Sequence, residues 1–137
     1  MTGDAFDFTP CRDCACSAAR KASRAITQHF DAHLRGSGLR ATQFTVLATL
    51  AQTGPMPMTR LAAFIGLERT TLTRNLKALL RDGLVEACEA TDGRVRRIAN
   101  TKKGESAARD AFPLWRRAQD SVEQASATHG GRRANDG

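Results

Sequence analysis

Tyrosine is absent from this 137-residue chain, tryptophan occurs once, and aromatic residues make up only 5% of it. No phenol is therefore available to hold or orient a reactive group. Long apolar runs are missing too: nothing approaches the roughly 20 residues that a membrane-spanning helix needs. Met1 to Pro10 is acidic and lacks the basic start and apolar stretch of a signal peptide. These absences predict no membrane partner and a cytoplasmic location. Marks of catalysis are scarce as well. The chain has no Gly-rich phosphate loop, no His-Glu-x-x-His zinc helix and no Gly-x-Ser-x-Gly elbow. Its histidines, His29, His33 and His129, are scattered. The expectation is no enzyme and no cofactor. Cysteine is limited to Cys11, Cys14, Cys16 and Cys88, and a disulfide framework is not expected in a cytoplasmic chain.

What is present is a soluble composition, 41% apolar and 26% charged, in a length that favours one domain. The formal net charge is +7. Its distribution says more than its total. Residues 60–103 carry ten basic and five acidic side chains, whereas residues 104–137 carry five of each. A local basic excess of this kind is an electrostatic footprint for polyanions.

Periodicity sets out the elements. Residues 1–12 have little pattern and are expected to be flexible. Ala15, Ala18, Ala19, Ala22, Ile26, Phe30 and Leu34 recur at helical spacing, predicting one long helix from residue 13 that Gly36-Ser37-Gly38 ends. Thr42 is the expected N-cap of a second helix running to about Gln52. After Gly54-Pro55, the segment Met56 to Met58 suits a short edge strand, where Pro57 is tolerated. Thr59 opens a third helix, Arg60 to Ile65. Gly66 makes a tight turn into a fourth, Glu68 to Asp82, giving a helix-turn-helix. Leu72, Leu76, Leu79 and Leu80 define its expected buried face. Two strands follow, Leu84 to Glu89 and Val95 to Asn100, joined through Thr91-Asp92-Gly93, a hairpin signal. Thr101 caps a last helix from Lys102 to about Thr128, with Pro113 expected to kink or break it. Residues 129–137 are expected to be disordered.

The expected fold class is therefore mainly α with a small β-hairpin wing: a winged helix-turn-helix over about residues 42–101. The fourth helix leaves Arg69, Thr70, Thr73, Arg74 and Lys77 outward. Specific DNA recognition needs side chains that reach base edges from a rigid element, plus cations on phosphates. Arg69 and Arg74 can pair bidentately with guanine O6 and N7. Thr70, Thr71 and Thr73 can contact phosphates, bases or a thymine methyl. Arg94 lies at the hairpin tip, where a long cation can enter a narrow minor groove. Asp92 is placed to hold Arg94 or Arg97, and Arg96 adds charge on the return strand. Lys102 and Lys103 suit general phosphate contacts. The expected partner is double-stranded DNA; a winged helix that binds only proteins is the alternative of another class.

These segments also resemble the MarR family of bacterial transcriptional regulators, over roughly residues 14–127. The resemblance is carried by Gly38-Leu39-Arg40-Ala41-Thr42-Gln43-Phe44, by Leu61-Ala62 with Gly66-Leu67, and by Arg69-Thr70-Thr71-Leu72-Thr73-Arg74-Asn75-Leu76. Arg81-Asp82-Gly83-Leu84-Val85 and Asp92-Gly93-Arg94-Val95-Arg96-Arg97, followed by Thr101 and Gly104, complete it. It implies a homodimer joined through helices at about residues 13–36 and 102–128, acting on a pseudo-palindromic operator, as a repressor that a small ligand or oxidant releases. Asn100 departs from the family pattern, which has an apolar residue there, and is expected to leave the end of the wing strand less firmly packed.

Three readings of the signal stay open. One is a phenolic or other aromatic effector in a pocket lined by His29, Phe30, His33, Phe44, Phe112 and Trp115. The second is a thiol switch. Cys16 sits where the related organic-hydroperoxide sensors carry their reactive cysteine, with Cys14 or Cys11 to resolve a sulfenic acid. The missing tyrosines count against it, since those sensors use them to orient the thiol. The third is a metal ion on Cys11, Cys14 and Cys16, three soft ligands within six residues. Cys88, on a wing strand, is expected to be buried and inert.

Overall fold

The computed structural model describes residues 5–89 and 96–135, with residues 127–135 described by backbone alone. Five helices and three short strands follow one another: α1 (Ala15–Leu34), α2 (Ala41–Thr53), β1 (Met56–Pro57), α3 (Met58–Ile65), α4 (Arg69–Arg81), β2 (Val85–Glu89), β3 (Arg96–Asn100) and α5 (Lys102–Asn135). The class is the expected one, mainly helical with a small antiparallel sheet. The strands lie in the order β1-β3-β2. Met56 pairs with Ile98 and Pro57 with Arg97, so the predicted edge strand exists. On the other side Val85 pairs with Asn100 and Glu89 with Arg96. The predicted turn, with Asp92 and Arg94, lies outside the described residues.

The core is a leucine cluster shared by α2, α3 and α4, and Leu34, Val46, Leu47, Leu61, Leu72 and Leu79 are fully buried. Leu72, Leu76 and Leu79 anchor α4. Leu80, expected beside them, is 42% exposed. At 100° per residue it stands about 80° around the helix from Leu72, at the edge of the buried stripe.

Caps explain most of the boundaries. Thr42 is not the N-cap of α2, which begins one residue earlier. The Ala41 N–H donates to the Asp31 carboxylate at 2.7 Å, and the Arg40 N–H donates to Gln43 Oε1 at 3.0 Å. A side chain ten residues upstream, on α1, thus satisfies a first-turn donor that a local cap would otherwise serve. Gly66 ends α3 at φ 83°, its own N–H and that of Leu67 both donating to the Ala62 carbonyl. That turn sets α4 against α3.

The seam between the wing and α5 is tight. Thr101 caps α5 as predicted: its Oγ1 accepts from the Gly104 N–H at 3.0 Å and donates to the Gly83 carbonyl at 2.6 Å. The Thr101 N–H donates to the Leu84 carbonyl at 3.1 Å. A Cβ on Gly104 would overlap the Leu84 carbonyl oxygen and lie 2.9 Å from its carbon. Asn100, expected to weaken this corner, ties it down: its Nδ2 donates to the Leu47 carbonyl at 2.8 Å, bonding β3 to α2. The amide does what an apolar residue cannot, at the cost of a buried Oδ1 without a partner among the described residues.

α5 is one element despite Pro113. Proline removes the donor that would serve the Arg109 carbonyl but leaves the flanking turns intact. The helix also continues past Thr128 to Asn135, into the segment expected to be disordered. The glycines there lower helix propensity without removing a donor.

Candidate nucleic-acid interface

The core leucines hold α4 from behind and fix what its other face presents. Arg69, Thr70, Arg74 and Lys77 are exposed, and Thr71 and Thr73 are half-buried. Thr70, Arg74 and Lys77 are spaced i, i+4, i+7 and share one stripe. Among the described residues no hydrogen bond or ion pair engages the side chains of Arg69, Arg74 or Lys77; the one ion pair there joins neighbouring Arg81 and Asp82. No described residue thus occupies these cations. Thr73 is less free. Its Oγ1 donates to the Arg69 carbonyl at 2.8 Å and lies 3.7 Å from Met58 Sδ, so it offers a partner its methyl and an acceptor. Asn75 folds back onto the Thr71 carbonyl at 2.9 Å. Glu68 precedes α4 without a side-chain cap, so the first amides of the helix lack intrahelical acceptors and favour an anion.

On β3, Arg96 and Arg97 are both exposed, but successive strand residues point to opposite faces. Arg96 shares the face of buried Ile98, whereas Arg97 stands opposite Cys88 and Pro57. The two therefore do not act as one basic patch. Arg94 and Asp92 lie outside the described residues. Lys103 is already engaged, its Nζ donating to the Asp82 carbonyl at the end of α4. This bond pins the recognition helix to α5, a role with no local signal in the sequence.

The six residues expected to form one effector pocket are divided among several. Phe30 and Trp115 line a cavity of about 220 Å³ with Ile26, Thr42 and Leu67. Phe44 and Phe112 line a larger groove, about 610 Å³, between α2 and α5, and with Trp115 a smaller adjoining one of about 240 Å³. Trp115 joins these spaces, stacked on Phe44 at 5.9 Å and tilted against Phe112 at 5.6 Å. His29 faces an open cleft between α1 and α5, its Nε2 within 3.2 Å of the Ala118 carbonyl. His33 lies 3.0 Å from the His29 carbonyl and lines none of these spaces. His29 thus ties α1 to α5, while His33 bonds back within α1.

The thiols are also redistributed. Cys14, not Cys16, is the N-cap of α1, and Cys16 is its second residue. The backbone amide of Ser17, then that of Cys16 and the Ser17 hydroxyl, hold the exposed Cys14 thiol below the usual thiol range. Cys11, Cys14 and Cys16 are all exposed, yet among the described residues no three His, Cys, Asp or Glu side chains are gathered to hold a metal ion. Cys88, expected to be buried, is half-exposed beside Arg97.

Known proteins share this arrangement. The MarR family profile matches residues 39–94. The M. tuberculosis transcriptional regulator MosR, solved in complex with DNA, is 42% identical, with a TM-score of 0.72 over 90% of this chain and 97% of that one. In Bacillus subtilis strain 168, the HTH-type transcriptional regulator MhqR is 31% identical over 94 residues, 68% of this chain and 65% of its own length. There too, the HTH-type regulator YwoH is 29% identical over 85 residues, 62% of each. The chain thus spans under two thirds of these two curated relatives, and nearly all of MosR. With a winged helix whose exposed α4 face is cationic, and a near-full-length match to MosR, the chain belongs to the MarR family of transcriptional regulators.

Proposed function

We propose that the protein acts in the cytoplasm as a homodimeric repressor, binding a pseudo-palindromic DNA operator through α4 and the wing. The observation that carries this reading is the exposed set of Arg69, Arg74 and Lys77, unpaired among the described residues, on a helix fixed by three buried leucines. The DNA complex of MosR supports it. One α4 covers few base pairs; two, about 34 Å apart, match successive turns of an inverted repeat. Arg69 and Arg74 read bases, Thr70, Thr71 and Lys77 hold phosphates, and Thr73 offers its methyl. Arg94 and Arg97 reach the flanking backbone. The assay is fluorescence anisotropy on duplexes from the DNA flanking the gene, across a salt series. If no duplex binds better than a scrambled one, the operator reading fails and a protein-interaction role takes its place.

Release by a single-ring aromatic compound fits the cavity of Phe30 and Trp115. Thr42 is its free polar group, since the hydroxyls of Thr27 and Thr45 donate to the Ser23 and Ala41 carbonyls. A panel of phenols and benzoates added to the operator complex tests it, and Trp115→Phe with Thr42→Val should abolish any response.

One observation favours a second signal: the exposed Cys14 thiol at the start of α1, with exposed Cys16 two residues on. An alkyl hydroperoxide would oxidise the Cys14 thiolate to a sulfenic acid, releasing the alcohol. A second thiol, Cys16 or Cys11, would then condense with it, forming a disulfide and releasing water. Operator binding that responds equally to peroxide in wild type and Cys14→Ser eliminates this route.

A further inference from the structure

The N-terminal segment carries two exposed aromatic rings, Phe6 at 78% and Phe8 at 67%. They are not loose. Their centroids lie 4.8 Å apart, tilted by 57°. The Asp7 carboxylate accepts the Thr9 N–H at 2.9 Å, and the Phe8 carbonyl accepts the Cys11 N–H at 2.9 Å. A short turn thus presents a prebuilt aromatic pair beside an acid. The complementary feature is the groove between α2 and α5. It holds about 610 Å³, is walled by Phe44, Ala48, Ala51 and Phe112, and is lined also by Glu105 and Arg109. Phe112 is 46% exposed, and the Arg116 guanidinium lies 5.4 Å from its ring. The groove offers the segment space and apolar walls for two phenyl rings, and Arg109 for the Asp7 carboxylate.

The segment cannot reach its own groove. His29 is level with Ala118 of α5, and α1 runs from there back to Ala15, about 20 Å at 1.5 Å per residue. The groove lies the other way along α5, at Glu105 to Pro113. Every α1 residue from Ala15 to Gln28 is exposed, so this arm leads away from its own groove with most of its surface open.

We infer that Phe6 and Phe8 of each protomer dock in trans into the α2–α5 groove of the other. This rests on the homodimer reading and adds a swapped anchor to it. Trp115, the sole tryptophan, is stacked on Phe44 and tilted against Phe112, so its emission reports occupancy. In the full-length protein, Phe6→Ala/Phe8→Ala should red-shift Trp115 emission and weaken dimerisation by about tenfold or more in sedimentation equilibrium, as loss of buried aromatic anchors does. Both residues are exposed in the protomer, so the variant keeps its far-UV spectrum. Mixing it with Ala48→Arg chains should restore part of the blue-shifted emission, because each mixed dimer regains one intact pairing. No restoration would place the docking within one chain and overturn the swap. A dimeric wild type whose affinity and emission are unchanged by the double substitution overturns the docking alone. A wild type that is monomeric at micromolar concentration overturns the dimer reading as well.

Discussion

Replacing Gly104 by alanine adds a single methyl group at the point where α5 meets the wing. On an exposed helix this change would stabilise by about 1 kcal/mol through helix propensity. Here the new Cβ would overlap the Leu84 carbonyl oxygen, and would sit 2.9 Å from the carbonyl carbon and 3.3 Å from Leu47 Cδ2. The obstacle is mostly backbone, which cannot rotate away, so α5 must shift. Overpacking of this kind costs about 1–3 kcal/mol. The shift also strains the Thr101 N–H bond to the same Leu84 carbonyl, worth about 1 kcal/mol. After the propensity gain, the expected net loss is about 2 kcal/mol. The assay is urea unfolding followed by far-UV circular dichroism at one fixed protomer concentration, since the proposed dimer would link stability to concentration. With a slope of about 1–3 kcal/mol per molar, the midpoint should fall by about 1 M. Gly36→Ala is the control: no atom lies within 4 Å of its new Cβ, so its midpoint should hold or rise. If Gly104→Ala unfolds at the wild-type midpoint or above it, the seam is looser than described and the reasoning fails.

Arg74→Ala should weaken specific operator binding by about 1–3 kcal/mol and relax base preference at one position. Lys77→Ala should weaken all duplexes alike and lower the salt slope by about 1; competition titrations separate the two. Asn100→Asp replaces the Nδ2 donor to the Leu47 carbonyl by an acceptor, costing on the order of 2 kcal/mol at neutral pH. Burial raises the folded-state pKa of that carboxyl, so its penalty should vanish below the unfolded pKa and grow as pH rises, as unfolding at pH 4 and pH 7 would reveal. For Cys14 the sign is opposite: its native thiol is held down by the Ser17 and Cys16 amides, so the folded chain binds this proton more weakly than the unfolded one. Alkylation of Cys14 should persist to lower pH in the native protein than in urea. Equal pH midpoints would show that the N-cap bonds do not stabilise the thiolate.

The winged helix was legible because its signals are local. Gly66 and Gly83 mark backbone at positive φ, the leucine stripe of α4 has one period, and Met56-Pro57 could only be an edge. Errors fell where a side chain answers to something distant in sequence. Thr42 looked like a cap because the true acceptor, the Asp31 carboxylate, is on another helix. Asn100 looked like a defect because its carbonyl partner belongs to Leu47. Leu80 was grouped with its neighbours because a stripe read from spacing has no sharp edge, whereas a packed interface does.

The candidate site divides along the same line. The α4 cations follow from one face of one helix, so spacing was enough to collect them. The effector residues were collected by type, and the structure spreads them over several spaces that only the crossing of α1, α2 and α5 defines. The first helix is the extreme case. Its alanines recur as a buried face would, yet within one chain only Leu34 of α1 is buried. The fully exposed stretch, Ala15 to Gln28, is about as long as an isolated helix that is marginal in water. Its own α5 packs on one side of it, and the rest of its surface is open to a second copy. The face that the spacing predicts and the protomer leaves open is thus the strongest physical argument that the functional unit holds two copies.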